Sequence, residues 1–236
     1  MTAQGLHKAY GANVVTSDLS FEVRQGETLA ILGPNGAGKT TLFNLISGDV
    51  ACDKGALYFN GQLLQTERPF ERCRLGIGRT YQIPRPYVGM SVFENLLVAA
   101  MFGGLMNEGS AGAFCAEILD QCGLKAKANT LAGQLSLLDR KRLELARALA
   151  SGPKLLLLDE IAGGLTDEEA DKLVQLVLEI KRQGVTVVWI EHVLRAVMAV
   201  ADRVMVLNFG AKLTEGTPQA VMADREVQRV YMGIEA

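Results

Sequence analysis

The chain is poor in the residues that build metal and disulfide frameworks. Among 236 residues there are four cysteines and two histidines. Cys52, Cys73, Cys115 and Cys122 form no C-x-x-C pair, which argues against a structural metal site. They read as buried free thiols in a reducing compartment. Charge of one sign is also lacking. There are 24 Lys and Arg against 26 Asp and Glu, a net charge of −2. A bulk basic surface for nucleic acid is therefore missing, and no nucleic-acid partner is expected. Long apolar runs are absent too. The longest near the middle, Leu96–Met106, has 11 residues, and a bilayer span needs about 20. MTAQGLHKAYG at the start has no apolar core and does not read as a signal peptide. No internal repeat or low-complexity tract occurs. The expectation is a soluble chain that reaches a membrane only through a partner.

What is present is ordinary globular material, 49% hydrophobic and 21% charged, long enough for one domain with a subdomain. Its most informative stretch is GPNGAGKTT: Gly33, Pro34, Asn35, Gly36, Ala37, Gly38, Lys39, Thr40 and Thr41. It fits G-x-x-x-x-G-K-[ST]. The apolar TLAIL (Thr28–Leu32) precedes it and the helix-compatible TTLFNLIS follows, which is the strand–loop–helix context the motif requires. Glycines let successive backbone N–H groups turn inward around an oxyanion, and a helix starting near Gly38 points its positive end there. Lys39 adds a mobile charge for β- and γ-phosphates, and the Thr40 hydroxyl can ligate Mg²⁺.

Around this loop the pattern is mostly that of strands alternating with helices. Leu6 to Val23 reads as two strands about a turn at Gly11–Asn13, the second (LSFEV) alternating apolar and polar. ALYFN ends at an Asn60-Gly61 hairpin signal. Glu67 to Gly133 differs. RPFERCRLGIGRTYQIPRPYVGM is basic and rich in proline and aromatics, and two helical patterns follow, SVFENLLVAAMF and SAGAFCAEILDQCGL. Ser91 and Glu94 form a capping box for the first, and glycines 103, 104, 109 and 112 separate the two. From Ser136 the alternation returns. LLDRKRLELARALA is helical, PKLLLLD a buried strand, DEEADKLVQLVLEIKRQG an amphipathic helix ended by Gly184, and VTVVWI another buried strand. HVLRAVMAVA, RVMVLN, Lys212–Glu215, TPQAVM and DREVQRVYMG continue as helix, strand, strand and two terminal helices. The expected class is α/β: a P-loop NTPase core with a mostly parallel, doubly wound sheet, an N-terminal antiparallel β part and a helical insert.

Two strand ends carry further chemistry. LLLLDE places Asp159 and Glu160 at the C-terminal end of a buried strand, where open parallel sheets hold ligands. Asp159 suits Mg²⁺, and Glu160 can polarise a water for attack on a γ-phosphate. In VVWIEH, His192 follows a second buried strand. It is expected beside Glu160, with its imidazole on the γ-phosphate and attacking water; the plainer alternative is a cap for the next helix. His7 reads as a surface residue.

Taken together, the glycine loop, Gln82 in RTYQIPRPY, Ser136 before RKRLELARAL, LLLLDE and WIEH resemble the ATP-binding subunits of ABC transporters. The resemblance covers nearly the whole chain. RTYQIPRPY, DEIAGGLT and the closing VYMG look most like the branched-chain (hydrophobic) amino acid uptake group. It implies one ABC ATPase domain over residues 1–236, with a core of 1–82 and 134–236 and a helical subdomain at about 83–133. It implies that Tyr10 stacks on adenine, the alternative being a loop tyrosine filling a surface gap. It further implies that Gln82 reaches Mg²⁺ and the attacking water, and that the insert, including Arg85–Gly104, receives a cytoplasmic helix of a membrane subunit.

The sequence departs from the family at two places. The signature, usually LSGGQ, is Leu135, Ser136, Leu137, Leu138 and Asp139. In the family this loop grips the γ-phosphate held by the opposite subunit. Here Ser136 is retained and with Asp139 can also cap its own helix, while the two leucines keep their N–H groups but add side chains where close backbone approach is wanted. After Glu160 the family has proline, and after Gly-Leu an aspartate; here Ile161 and Thr166 stand there, Thr166 making a capping box with Glu169. The resemblance implies ATP and Mg²⁺ as ligands and membrane-spanning permease subunits as partners. It also implies a second ATPase subunit, more readily a different chain than a copy, and a periplasmic binding protein acting indirectly. The location implied is cytoplasmic, peripheral on the inner face of the membrane. A non-transport ABC-type ATPase, such as one serving iron–sulfur cluster assembly, is the alternative.

Overall fold

A computed structural model of the chain describes residues 1–232. In chain order, β1 (Thr2–Tyr10), β2 (Asn13–Glu22) and β3 (Thr28–Leu32) lead to α1 (Lys39–Ser47), β4 (Lys54–Phe59), β5 (Gln62–Leu63) and α2 (Pro69–Leu75). Then come β6 (Ile77–Arg79), α3 (Val92–Val98), α4 (Glu108–Gln121), α5 (Leu137–Ala150), β7 (Leu155–Asp159) and α6 (Asp167–Arg182). β8 (Thr186–Ile190), α7 (Leu194–Val200), β9 (Arg203–Asn208), β10 (Ala211–Gly216), α8 (Pro218–Met222) and α9 (Arg225–Met232) complete it. The α/β class expected from the sequence is what the chain adopts. Of the closing VYMG segment, Gly233 lies outside the described residues.

The chain divides into two compact units, Met1–Arg72 with the chain from Thr186 onward, and Cys73–Val185. In the first, β2-β1-β4-β5 form an antiparallel sheet. Its alternation aims Leu6, Leu19, Phe21 and Leu57 into the core. Asn60 and Gly61, both at positive φ, make the β4–β5 turn, the conformation an Asn-Gly hairpin favours. β3 lies between β8 and β9, parallel to both, with Ile31 opposite Ile190 and Met205, while β10 returns antiparallel to β9. Every residue of β3 and β8 is buried, as strands covered on both faces require. Ala30, Leu32, Val204 and Val206 pack with Val197, Val221 and Val227 from α7, α8 and α9. Helix α1 starts at Gly38 and stops at Gly48, both left-handed. Beyond that stop, the Arg72 guanidinium donates to the carbonyls of Leu45 (2.6 Å), Ile46 (2.9 Å), Leu64 (2.6 Å) and Glu67 (2.9 Å). It thereby satisfies two of the acceptors that a helix end leaves open.

In the second unit β6 pairs parallel with β7, Ile77 opposite Leu155 and Arg79 opposite Leu157. Helices α3 and α4 pack on α5. The Ser91–Glu94 capping box opens α3 as its sequence requires, and a π-helical turn, Ala99–Gly103, continues it. Two details differ from the sequence reading. Gly109 and Gly112 lie within α4 instead of separating the helices, because Asn107 caps that helix by accepting from the Ser110 N–H at 3.0 Å. The basic proline-rich stretch holds α2 and the short strand β6, whose three residues are too few for a periodic signal. The cysteines also divide: Cys115 and Cys122 are buried, Cys52 and Cys73 only half-buried.

Candidate nucleotide site

In the first unit the expected phosphate loop lies between β3 and α1. Its fixed glycines are sterically required. A Cβ on Gly33 would collide with the Leu207 carbonyl oxygen, and one on Gly38 with that of Val15. No side chain caps α1 and no acidic residue occupies its first turn. The early N–H groups and the helix dipole are therefore directed at whatever anion the loop receives. Lys39 Nζ donates to the carbonyls of Gly33 (2.7 Å) and Pro34 (3.1 Å), which holds the ammonium over the loop. Gly210 N–H donates to the Ala37 carbonyl at 3.2 Å, so the β9–β10 turn supports the loop from behind.

Tyr10 ends β1 with its ring 49% exposed, and Lys8 Nζ lies 5.5 Å from the ring centroid. His192 follows β8, and its side chain is half exposed. It does not cap α7. The sequence reading overlooked the residue before it. Glu191 is fully buried, and its Oε1 accepts from the backbone N–H of His192 (3.0 Å) and Val193 (3.3 Å). The imidazole Nδ1 lies 3.5 Å from the same oxygen. The signal was present in WIEH, an acidic residue at a buried strand end.

In the second unit Asp159 and Glu160 leave β7 as expected. Asp159 is buried, 3.6 Å from the Arg79 guanidinium, and its N–H donates to Thr80 Oγ1 at 3.2 Å. Glu160 adopts φ +47°, a left-handed conformation that costs a side-chain-bearing residue about 1–2 kcal/mol. Gln82 Nε2 donates to its Oε2 at 2.5 Å. On α5, Lys141 Nζ donates to the carbonyls of Glu160 (3.3 Å) and Ile161 (2.9 Å). About one turn further on, Glu144 accepts from Arg85 N–H at 3.2 Å, and a turn beyond that Arg147 donates to the Arg85 carbonyl at 2.7 Å. Burial pushes the Glu144 carboxyl above the usual range, against the pull of Arg147. The sequence reading took Lys141, Glu144 and Arg147 only as parts of a helix.

At the signature, Ser136 caps α5. Its Oγ accepts from Asp139 N–H (3.3 Å) and donates to Asp139 Oδ2 (2.9 Å). Asp139 also pairs with Lys127. Burial alone would raise its pKa, but the hydrogen bonds from Lys127 and Ser136 prevail and lower it. Leu135 and Leu138 turn inward to different degrees, while Leu137 stands half exposed on the first turn. Thr166 and Glu169 form the expected capping box of α6.

A strand, a glycine loop too tight for side chains and an uncapped helix start carrying lysine define a P-loop nucleotide-binding protein. The ABC transporter family pattern matches residues 16–163, and the chain belongs to that family and is an ATPase. It is 34% identical to LivG of Salmonella typhimurium, the high-affinity branched-chain amino acid transport ATP-binding protein, over 99% of this chain and 97% of that one. BraF of Pseudomonas aeruginosa, with the same description, is 33% identical over the same shares. The lipopolysaccharide export system ATP-binding protein LptB of Haemophilus influenzae is 31% identical over 99% and 97%. Among solved structures, the ADP conformation of an ATP-binding cassette of an ABC transporter superposes with TM-score 0.90 at 31% identity, over 99% of this chain and 98% of that one.

Proposed function

We propose that the chain is the ATP-hydrolysing subunit of an importer for branched-chain amino acids or related small solutes. The short bond from Gln82 to Glu160 carries the hydrolytic part of this reading, since it brings together the two groups expected to handle the attacking water. Glu160 polarises that water, Gln82 orients it, and His192 contacts the γ-phosphate. The phosphate loop, Gly33 to Thr41, cradles the phosphates, and Tyr10 stacks on adenine. Thr40, Asp159 and Gln82 offer hydroxyl, carboxylate and amide oxygens, a hard donor set that fits Mg²⁺; the ion supplies charge neutralisation for the transferred phosphoryl group. The domain assignment follows: a core of residues 1–82 and 134–236 and a helical subdomain at about 83–133.

The substrate class rests on the similarity to LivG and BraF. Two membrane-spanning permease subunits are the partners, with a periplasmic binding protein delivering solute to them. The exposed apolar residues Ile83 (74%), Val88, Phe102 (66%) and Leu105 support docking of a permease helix on the second unit. No helix among the described residues is long and apolar enough to cross a membrane. Attachment to the inner face of the membrane therefore runs through those partners. The signature Ser136 is engaged with Asp139, and Leu137 and Leu138 replace glycines. A different ATPase chain with an intact signature is accordingly the preferred second subunit.

Glu160→Gln is the test. It should bind MgATP as the parent does and lose turnover on the order of 10²-fold or more, as removal of a general base does. Hydrolysis at the parent rate would remove Glu160 from its role. Reconstitution with permeases in vesicles should give ATP-dependent uptake of leucine; ATPase activity with no uptake of any amino acid would refute the substrate class.

A further inference from the structure

The catalytic carboxylate is held in an unfavourable backbone conformation by a residue that no sequence motif singled out. Glu160 sits at φ +47°, which a glycine would adopt without strain and a glutamate does not. Such a conformation persists only when its surroundings over-determine it. Three contacts do so here. Gln82 fixes the carboxylate at 2.5 Å, Gly163 N–H closes the turn on the Glu160 carbonyl at 3.2 Å, and Lys141 Nζ reaches the carbonyls of Glu160 at 3.3 Å and Ile161 at 2.9 Å. Lys141 is buried. A buried ammonium needs acceptors, and the Glu160–Ile161 carbonyls are among those it has.

Lys141 does not act alone on its helix. Residues three apart share a helix face, and the face of α5 that carries Lys141 also carries Glu144 and Arg147. Glu144 accepts from Arg85 N–H at 3.2 Å, and Arg147 donates to the Arg85 carbonyl at 2.7 Å. The Arg147 guanidinium lies over the Tyr87 ring at 4.9 Å, and those of Arg79 and Arg85 lie over Tyr81 at 4.8 and 5.3 Å. Thus both segments that present the hydrolytic groups, the one ending β7 and the one holding Gln82, are tied to one side of one helix.

We infer that Lys141 is a positioning residue for ATP hydrolysis: its ammonium, bridging the Glu160 and Ile161 carbonyls, holds Glu160 in the left-handed conformation from which its carboxylate meets Gln82. Glu144 and Arg147 do the same for the Gln82 segment through Arg85. This rests on the assignment of Glu160 as the group that polarises the attacking water. A displacement of a catalytic group by about 1 Å costs on the order of 10²-fold in rate. The loss should appear in kcat, because the Lys141 bonds run to the carbonyls of Glu160, the residue assigned to the attacking water, and of its neighbour Ile161.

The experiment compares four full-length proteins: parent, Lys141→Met, Glu160→Gln, and the double variant, with Lys141→Gln added as the conservative change. MgATP affinity, kcat and the urea unfolding midpoint are measured for each. Lys141→Met should bind MgATP within about twofold of the parent and lose kcat on the order of 10²-fold, and Lys141→Gln, which keeps a donor, should recover part of that. In the Glu160→Gln background, Lys141→Met should lower the residual turnover no further, because its effect passes through Glu160. A parent-like kcat in Lys141→Met overturns the inference. So does an equal further loss in the double variant, which would mark Lys141 as a structural residue. If Lys141→Met does not fold, Lys141→Gln and its double with Glu160→Gln decide by the same comparison. If Glu160→Gln itself keeps full turnover, the assignment of Glu160 fails, independently of the Lys141 result.

Discussion

The side chain of Gln82 donates to Glu160 at 2.5 Å, from a segment 78 residues earlier in the chain. One neutral amide thus fixes one oxygen of a carboxylate whose backbone is already constrained. Gln82→Leu keeps the bulk and removes the donor. It should lower kcat on the order of tenfold or more while leaving MgATP binding within about threefold, the signature of an interaction made mainly in the transition state. Steady-state kinetics with a separate equilibrium binding measurement would decide. An unchanged kcat would disconnect this contact from hydrolysis.

Tyr10 presents an exposed ring at the end of β1 with a lysine ammonium near its face. An aromatic–aromatic stack contributes about 0.5–1.5 kcal/mol beyond area burial. Tyr10→Ala should therefore weaken ATP binding roughly three- to tenfold, and Tyr10→Phe should restore it. Titration of a fluorescent ATP analogue reads this directly, and parent-like affinity in Tyr10→Ala would remove the stack.

Arg72 ties α1 to the segment that follows it through four carbonyls, and burial lowers its pKa. Arg72→Met fills the space but leaves buried acceptors unpaired, at about 1–3 kcal/mol for such a loss. For a chain of this size that is roughly 2–10 °C in Tm. Differential scanning calorimetry should show the drop. A thermal midpoint unchanged by the substitution would mean that water replaces the guanidinium.

The thiols give a pH-dependent test. Burial pushes Cys122 up to about 12, and also raises Cys115 and Cys73. The folded protein therefore keeps the Cys122 proton where an unfolded chain, with a thiol near 8.5, has lost it. The unfolded state binds fewer protons in that interval, so stability falls as pH rises from about 8.5 toward the folded value. Cys122→Ala should flatten that alkaline decline in the urea midpoint. With the parent at pH 8, a thiol reagent should modify Cys122 only on unfolding. Rapid modification of all four thiols in the native state would contradict the burial.

Much of the fold was legible because its signals were local. TLAIL and LLLLD are unbroken apolar runs of strand length, and both proved to be wholly buried strands. Ser91, Ser136 and Thr166 each cap a helix, accepting a backbone N–H as their spacing suggests. What escaped was set by distant contacts. Three residues of β6 acquire strand geometry only against Leu155–Leu157. The polar face Lys141–Glu144–Arg147 looks in sequence like any charged helix surface, yet Lys141 and Glu144 are buried. Their meaning depends on Glu160 and Arg85, which no periodicity links to them. The left-handed backbone of Glu160 is likewise invisible in a chain where glutamate gives no hint of it.

Gly33 and Gly38 face the carbonyl oxygens of Leu207 and Val15, main-chain atoms that no codon change can trim. A crowded side chain can be accommodated by shrinking its neighbour; a crowded carbonyl cannot. In a genetic selection, lesions at these two positions should therefore yield true revertants and very few second-site suppressors. Lesions at Lys141 or Arg72, which reach their main-chain acceptors through long adjustable side chains of their own, should be far more open to compensation. The phosphate loop is in this sense an inheritance that mutation can break but not renegotiate.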